Sequence, residues 1–325
     1  MGNYAGPIFI TGMPRSGTKL LRDLLNGHPM ISIPTIETEF LPYWASHWEI
    51  WGVSQGSYES FLKFYHNIIQ LPYFIYMAEM EKLIKPDVWY HACADFNVSA
   101  VFEALVRHDA NIEGRMIWGD KSPGYIRHIP LLKKIYPQAK IIHIIRDVRD
   151  YCLSTNKAWG KDMRRAAQRW IDNIIKARKD GEDIKNDYFE IRYEDLLEDT
   201  EKSLRQICLF LDIAYQPQMV CLLKPSENIG DARGISGILK QNTKKYLTKM
   251  SFPLRKKIEH ISYPLLLDLG YECKVFSSVK KIGRIELIFL RVLDGINLIR
   301  LRGKSQGFLK SLYFYMNSFI QIKEK

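Results

Sequence analysis

The stretch PIFITGMPRSGTKLLRDLLNGHP at 7–29 constrains this chain more than any other. Ile8, Phe9, Ile10 and Thr11 predict a short buried strand, and Leu20, Leu21, Leu24 and Leu25 recur at helical spacing. Between them lies a turn holding Gly12, Pro14 and Gly17. A strand feeding such a turn and opening a helix aims several backbone N–H groups at one point, where the helix dipole adds positive potential. Pro14, Arg15, Ser16, Gly17, Thr18 and Lys19 therefore read as a phosphate cradle, with charge from Arg15 and Lys19 and hydroxyl donors from Ser16 and Thr18. Gly12 and Gly17 have the spacing of G-x-x-x-x-G, yet the Lys-then-Ser/Thr order that puts a hydroxyl on magnesium is reversed. The swap keeps the phosphate chemistry and damages the metal chemistry.

KIIHIIRDVRDYCLSTN, at 140–156, repeats the geometry. Ile141, Ile142, Ile144 and Ile145 predict a parallel strand buried on both faces. Arg146 follows at its carboxyl end, where an open α/β sheet has its ligand crevice. Ser154 stands about two turns into the next helix, and a guanidinium with a hydroxyl clamps a second phosphate well. From these residues alone, Arg146 could equally pair with Asp147 or Asp150 at the helix start, leaving Asp147 as a Walker-B-like acid.

Together the two segments resemble the phosphosulfate- and 3′-phosphate-binding motifs of sulfotransferases that use 3′-phosphoadenosine 5′-phosphosulfate (PAPS). The likeness is greatest to the tyrosylprotein sulfotransferases and to bacterial members of the superfamily. PRSGT with the following Leu and Arg, His28–Pro29, GDKSP at 119–123, and Arg146 with Ser154 carry it. Glu37, Thr38 and Pro42 stand at nearly the spacing of the next family element, one residue longer between Thr and Pro. FEIRYEDLLEDTEKSLRQICLFLDI places Tyr193 at the family's tyrosine, and RGISGILKQNTKKYL, carrying Arg233 and Lys240, is similar to a degenerate last nucleotide loop. The resemblance spans about 8–254, with a poor fit between 44 and 115.

The resemblance implies a P-loop-like three-layer α/β fold, a central parallel sheet flanked by helices, with PAPS as co-substrate and 3′,5′-ADP as product. Residues 14–19 would hold the 5′-phosphosulfate, and Arg146 and Ser154 the 3′-phosphate, with Tyr193, Arg233 and Lys240 also at the nucleotide. Arg149 reads either as a further phosphate ligand or as a surface helix charge. Sulfuryl transfer asks for positioning and for neutralisation of charge on the leaving side, and in principle for no metal. Lys121 and Arg15 are the implied leaving-group cations, although Lys121 also fits a solvated lysine beside Asp120. Glu37 is the implied general base, with Glu39 as its rival and His28 and His47 behind. An apolar wall from Phe40, Tyr43, Trp44, Trp48 and Trp51 would suit such a base.

At 325 residues and 46% hydrophobic, the chain can bury one large core, or a core with an appendage. Buried strands at 7–11, 115–119, 140–146 and 188–193 alternating with helical stretches predict a parallel sheet. The expected layout is a sulfotransferase domain at 1–272, in which 44–115 is a mostly helical acceptor or lid insertion, and a basic amphipathic helical tail at 273–325. The aromatic run from Trp44 to Tyr76 reads as sugar-stacking surface or as core packing. Five scattered cysteines without C-x-x-C spacing favour a reduced compartment. No signal peptide precedes the first strand, and Gly6 stands where a myristoylation motif needs Ser or Thr, so the expectation is cytoplasmic.

Residues 280–325 hold ten Lys or Arg against three acids, a net +7 of the chain's +11. Arg291 and Asp294 interrupt any membrane-spanning stretch, so the tail either lies on an anionic bilayer at the inner face or packs back on the domain. No nucleic-acid reader motif accompanies the charge. The leading reading is a PAPS-dependent transferase acting on a hydroxyl, less readily an amine, of an acceptor that is first a saccharide or glycolipid. Tyrosine comes behind them, because the cysteines that the tyrosylprotein enzymes carry near the positions of Glu37 and Lys121 are missing here. The rivals are a P-loop kinase or ATPase using Lys19 and Asp147, and a non-catalytic membrane-peripheral binding protein.

Overall fold

A computed structural model describes residues 4–111, 116–227, 231–275 and 281–306. The chain runs β1 (Ile8–Gly12), α1 (Thr18–Leu25), β2 (Ile31–Ser32), then α2 (Leu41–Trp51), α3 (Tyr58–Ile68), α4 (Pro72–Glu79), α5 (Pro86–Ala92) and α6 (Val98–Asp109). It continues through β3 (Ile117–Lys121), α7 (Ile129–Ile135), β4 (Lys140–Ile145), α8 (Val148–Trp159) and α9 (Met163–Glu182). After β5 (Tyr188–Arg192) come α10 (Tyr193–Glu198), α11 (Thr200–Leu211), α12 (Tyr246–Lys249), α13 (Phe252–Asp268) and α14 (Arg284–Gln306). The strands form one parallel sheet in the order β2-β3-β1-β4-β5.

Side chains on a strand alternate between faces, and here both faces are covered. Ile8, Ile10, Ile142 and Ile144 pack on one side with Leu21 and Leu24 of α1 and Leu204 and Ile207 of α11. Phe9, Ile141 and Ile145 face the other side, with Trp170 and Ile174 of α9 and Ile258 of α13. The result is the expected α/β sandwich of helices around a parallel sheet. The strands at 7–11, 140–146 and 188–193 fall within one residue of the sequence reading, and the larger differences lie in β3 and β2. The third strand starts at Ile117 and runs to Lys121, two residues later than 115–119, and the two-residue β2 was not anticipated. A strand that short carries too little periodicity to read.

Helices α2–α6 bury most of their large aromatic rings, with Tyr58 and Tyr76 left exposed. Trp44, Phe61, Phe64, Phe74 and Trp89 are fully buried. The Trp44 ring lies 4.5 Å from Phe40, 5.1 Å from Phe64 and 5.7 Å from Trp89. These rings share one core with Phe9 and Ile141 of the sheet. For them the sugar-stacking reading is corrected to core packing, since a buried ring has no face to offer a ligand. Phe40, Trp44 and Trp48 belong to the same core, so they do not stand as an open apolar wall.

The described part of the tail is the single helix α14, and it packs back on the domain. Asp294 is buried and accepts from the Asp162 backbone N–H at 2.7 Å and from Arg165 Nε at 2.6 Å. Asn297 donates to the Gly160 carbonyl at 3.1 Å. The second apolar cluster, FLKSLYFYMNSFI, lies outside the described residues. Among the described residues, no helix is long and apolar enough to cross a membrane.

Candidate active site

Sheet register decides which loops meet. Ile10 stands beside Lys121 and Gly12 beside Ile144, so the loop after β1 emerges between the ends of β3 and β4. Ile145 stands beside Arg192, which puts Tyr193 next to Arg146. The carboxyl ends of four strands thus gather the 13–19 loop, Lys121, Arg146 and Tyr193, as a ligand crevice in an open α/β sheet requires.

The 13–19 loop is built for an anion. Gly17 caps α1 with φ +93° and has no side chain with which to cap the helix. The first turn of a helix carries amides that its own backbone does not satisfy, at the positive end of the helix dipole. A Cβ on Gly17 would lie 2.3 Å from the Tyr193 ring, so only glycine permits both the left-handed turn and the approach of that tyrosine. Arg15 has φ +75°, an unusual backbone state for a residue with a side chain. Ser16 is wholly buried, and its Oγ has no hydrogen-bond partner among the described residues. Thr18 is buried at the first turn of α1, while Pro14 and Lys19 are half-buried.

The second expected phosphate site is joined to the first. Arg146 donates from Nη1 to the Arg15 carbonyl at 3.0 Å and from Nη2 to the Asn242 carbonyl at 2.9 Å. Its guanidinium lies 4.7 Å from the centre of the Tyr193 ring, and its buried Nε has no partner among the described residues. Asn242 Nδ2 in turn donates to the Tyr193 hydroxyl at 2.7 Å. Arg15 Nε donates to Ser154 Oγ at 3.2 Å, and its Nη1 pairs with Glu227 at 3.0 Å. Two buried polar atoms, Ser16 Oγ and Arg146 Nε, have no partners among the described residues, and both are donors of the kind a nucleotide with two separate phosphate groups needs. The residues present fit such a ligand.

Lys121 and Glu37 are brought together as an ion pair, the lysine wholly buried and the Glu37 side chain 35% exposed. Burial holds the Lys121 ammonium below the ordinary lysine range. Glu37 pulls it the other way, and the charges of Arg22 and Lys19 add to the lowering. Glu39, the rival base, turns elsewhere and accepts from the Gly124 N–H at 3.3 Å. His28 is buried, with Nε2 2.9 Å from the Ala214 carbonyl and Nδ1 accepting from the Met30 N–H. His47 bonds within its own helix, to the Tyr43 carbonyl at 2.9 Å.

A buried network holds the pair's two loops in register. Thr38 Oγ1 donates to Asp120 at 2.9 Å and lies 2.7 Å from the Tyr125 hydroxyl, which accepts from the Leu41 N–H. Glu37 and Lys121 are the chain neighbours of Thr38 and Asp120. Burial raises the Asp120 carboxyl to about 6, against hydrogen bonds from Ser122 and Thr38 and attraction to Lys121. A folded state that holds this proton more tightly than the unfolded chain loses stability as pH rises between about 4 and 6. Asp120→Asn should remove that loss. Denaturant melts at both ends should show the variant gaining on the wild type by on the order of 2 kcal/mol from pH 4 to 7, and parallel stability curves would refute the assignment.

Several expectations are corrected here. Arg149 is neither a phosphate ligand nor a surface charge. It is buried, pairs with Asp147 at 2.6 Å and Glu259 at 2.7 Å, and donates to the Glu272 carbonyl. Asp147 accepts from the Arg149 N–H at 2.8 Å and so starts α8, committed to Arg149 rather than to Arg146. Asp150 accepts from the Tyr246 N–H at 2.9 Å. Lys240 is exposed and donates to the Glu198 carbonyl at 3.2 Å, so the structure does not bring it to Arg146. Arg233 is exposed as well, although its backbone bridges to Glu227, the partner of Arg15. Asn242, Glu227, Asp120 and Tyr125 were missed as site residues. Asn242 and Asp120 fall inside segments already singled out, but nothing in the local pattern marks which residue of a loop turns inward.

The sequence profile of the Sulfotransferase family matches residues 7–217, from β1 past the end of α11. The chain belongs to the sulfotransferase family. A provisionally named protein-tyrosine sulfotransferase of Caenorhabditis briggsae is 23% identical over 290 residues, covering 84% of this chain and 91% of its own. Protein-tyrosine sulfotransferase 1 of Danio rerio is 25% identical over 285 residues, covering 82% and 72%. In fold, the sulfotransferase is similar to the solved sulfotransferase domain from the curacin biosynthetic pathway, with a TM-score of 0.55 at 20% identity, over 84% of this chain and all of that one. Family membership sets aside the kinase or ATPase reading and makes the chain an enzyme of sulfuryl transfer.

Proposed function

We propose that this sulfotransferase uses PAPS and transfers its sulfuryl group to an acceptor hydroxyl. The observation that carries the reading is the wholly buried Lys121 ammonium, paired with Glu37 at the carboxyl end of β3, beside the 13–19 loop, whose buried Ser16 Oγ has no hydrogen-bond partner among the described residues. When bound, PAPS supplies an activated sulfuryl group on a phosphate leaving group. Residues 14–19 would hold its 5′ end, and Arg146 with Ser154 its 3′-phosphate. Glu37 accepts the acceptor's proton as the new S–O bond forms. Lys121, with Arg15, neutralises the charge that builds on the leaving phosphate oxygen as the old bond breaks. The proton ends on Glu37, and 3′,5′-ADP carries away the charge.

For the acceptor we favour a tyrosyl hydroxyl, supported by the names of the Danio rerio and Caenorhabditis briggsae relatives. A sugar-stacking surface on the aromatic run would have favoured a saccharide, and the burial of the run's main rings removes that support. The test is incubation of the enzyme with radiolabelled PAPS and, in parallel, tyrosine-containing peptides and a glycan mixture. Label should appear as tyrosine O-sulfate. Label confined to glycans would overturn the acceptor while keeping the donor, and failure to bind 3′,5′-ADP would overturn the donor itself.

A further inference from the structure

Helix α14 has two unlike faces. Leu290, Asp294 and Asn297 turn inward, and the two acids of this helix segment are both engaged with the domain, Asp294 with Arg165 and Glu286 with Arg164. The opposite face is apolar and open. Ile285, Ile288, Phe289 and Val292 are 86, 65, 61 and 58% exposed, and Ile296 continues the row. Spacings of three and four put these residues on one stripe, about half a turn from Asp294. A contiguous apolar stripe with no partner among the described residues marks an interaction surface, unlike a scatter of single exposed side chains.

Charge identifies the partner. With Glu286 and Asp294 held by arginines of the domain, exposed basic residues flank the stripe: Arg284 and Arg300 on the helix and Lys281 just before it. An apolar stripe flanked by cations is the pattern of a helix that lies in the interface of an anionic bilayer, its rings among the acyl chains and its cations at the headgroups. A second copy of this chain would bring the same cations opposite one another, and so is disfavoured. We infer that α14 is a fixed membrane-surface anchor: its acidic face docks to α8 and α9, and its apolar face seats the enzyme on anionic lipid.

The full-length protein should sediment with phosphatidylglycerol-rich vesicles at least tenfold more strongly than with phosphatidylcholine vesicles. High salt should weaken the binding. Ile288→Asp combined with Phe289→Asp should lower it at least tenfold with an unchanged melting temperature, since both side chains are exposed. Lys281→Gln with Arg284→Gln should lower it less and flatten its salt dependence. Equal binding to both vesicle types, no binding at all, or full binding by the aspartate variant would overturn the inference. So would a stable dimer in solution that the aspartate variant abolishes. The vesicle assay uses no sulfuryl donor, and its outcome does not depend on the proposed reaction.

Discussion

Lys121→Ala should lower kcat by about 10³-fold while changing 3′,5′-ADP affinity by less than about tenfold. A buried cation beside the reacting centre contributes most when charge develops on the leaving oxygen, and little to ground-state binding. Lys121 is wholly shielded from solvent, so no water replaces its charge on removal. The pH profile offers a second readout. Burial holds the ammonium below the ordinary lysine range, and only the protonated form can stabilise the leaving group, so activity falls as pH rises through the lowered value. Lys121→Arg should retain part of the rate and move that alkaline limb upward, because a guanidinium does not titrate in this range. Glu37→Gln should cost about 10²- to 10⁴-fold by removing the base. Because Glu37 and Lys121 touch, the double variant should lose far less than the product of the single losses. A Lys121→Ala enzyme within tenfold of wild-type kcat would refute this assignment.

Arg146→Ala should weaken binding of 3′,5′-ADP by about 100-fold and of 5′-AMP by less than about tenfold, as measured by calorimetry. The expected difference isolates the 3′-phosphate, which 5′-AMP lacks. Arg146 is also structural, since it holds the Arg15 and Asn242 carbonyls and stacks on Tyr193. A lower melting temperature is therefore expected as well, and Arg146→Lys serves as the control that keeps the charge but loses the fork of donors. Equal losses for the two nucleotides would show that Arg146 acts only by holding the 13–19 loop.

The sheet was legible because buried parallel strands announce themselves as apolar runs, and IIHII at 141–145 is such a run. The turn from β1 into α1 was legible because glycine and proline at fixed offsets leave few alternatives for the backbone. Lys121 and Glu37 were found through the resemblance, and their pairing depends on where two distant loops fall in space. Periodicity does not encode that. Asn242 shows the limit most clearly. It anchors Arg146 through a backbone carbonyl, and any residue has one. The fate of the aromatic run was equally illegible, because composition cannot distinguish a ring that lines a surface from one that packs beneath it. Arg149 was misread because a buried arginine looks, in sequence, like any helix cation; only its distant partner Glu259 reveals it.

The continuity of the aromatic core with the sheet has a practical meaning for redesign. Trp44 and Trp89 of the helical block pack in the same cluster as Phe9 and Ile141 of the strands, so the block has no foundation of its own. It cannot be exchanged with a homologue's block as a cassette, because a foreign set of rings would leave voids under β1 and β4. Any retargeting of the enzyme through this region has to be made one exposed position at a time, at residues such as Tyr58, Ile75 and Tyr76, whose outward faces can change without disturbing the foundation they share with the strands.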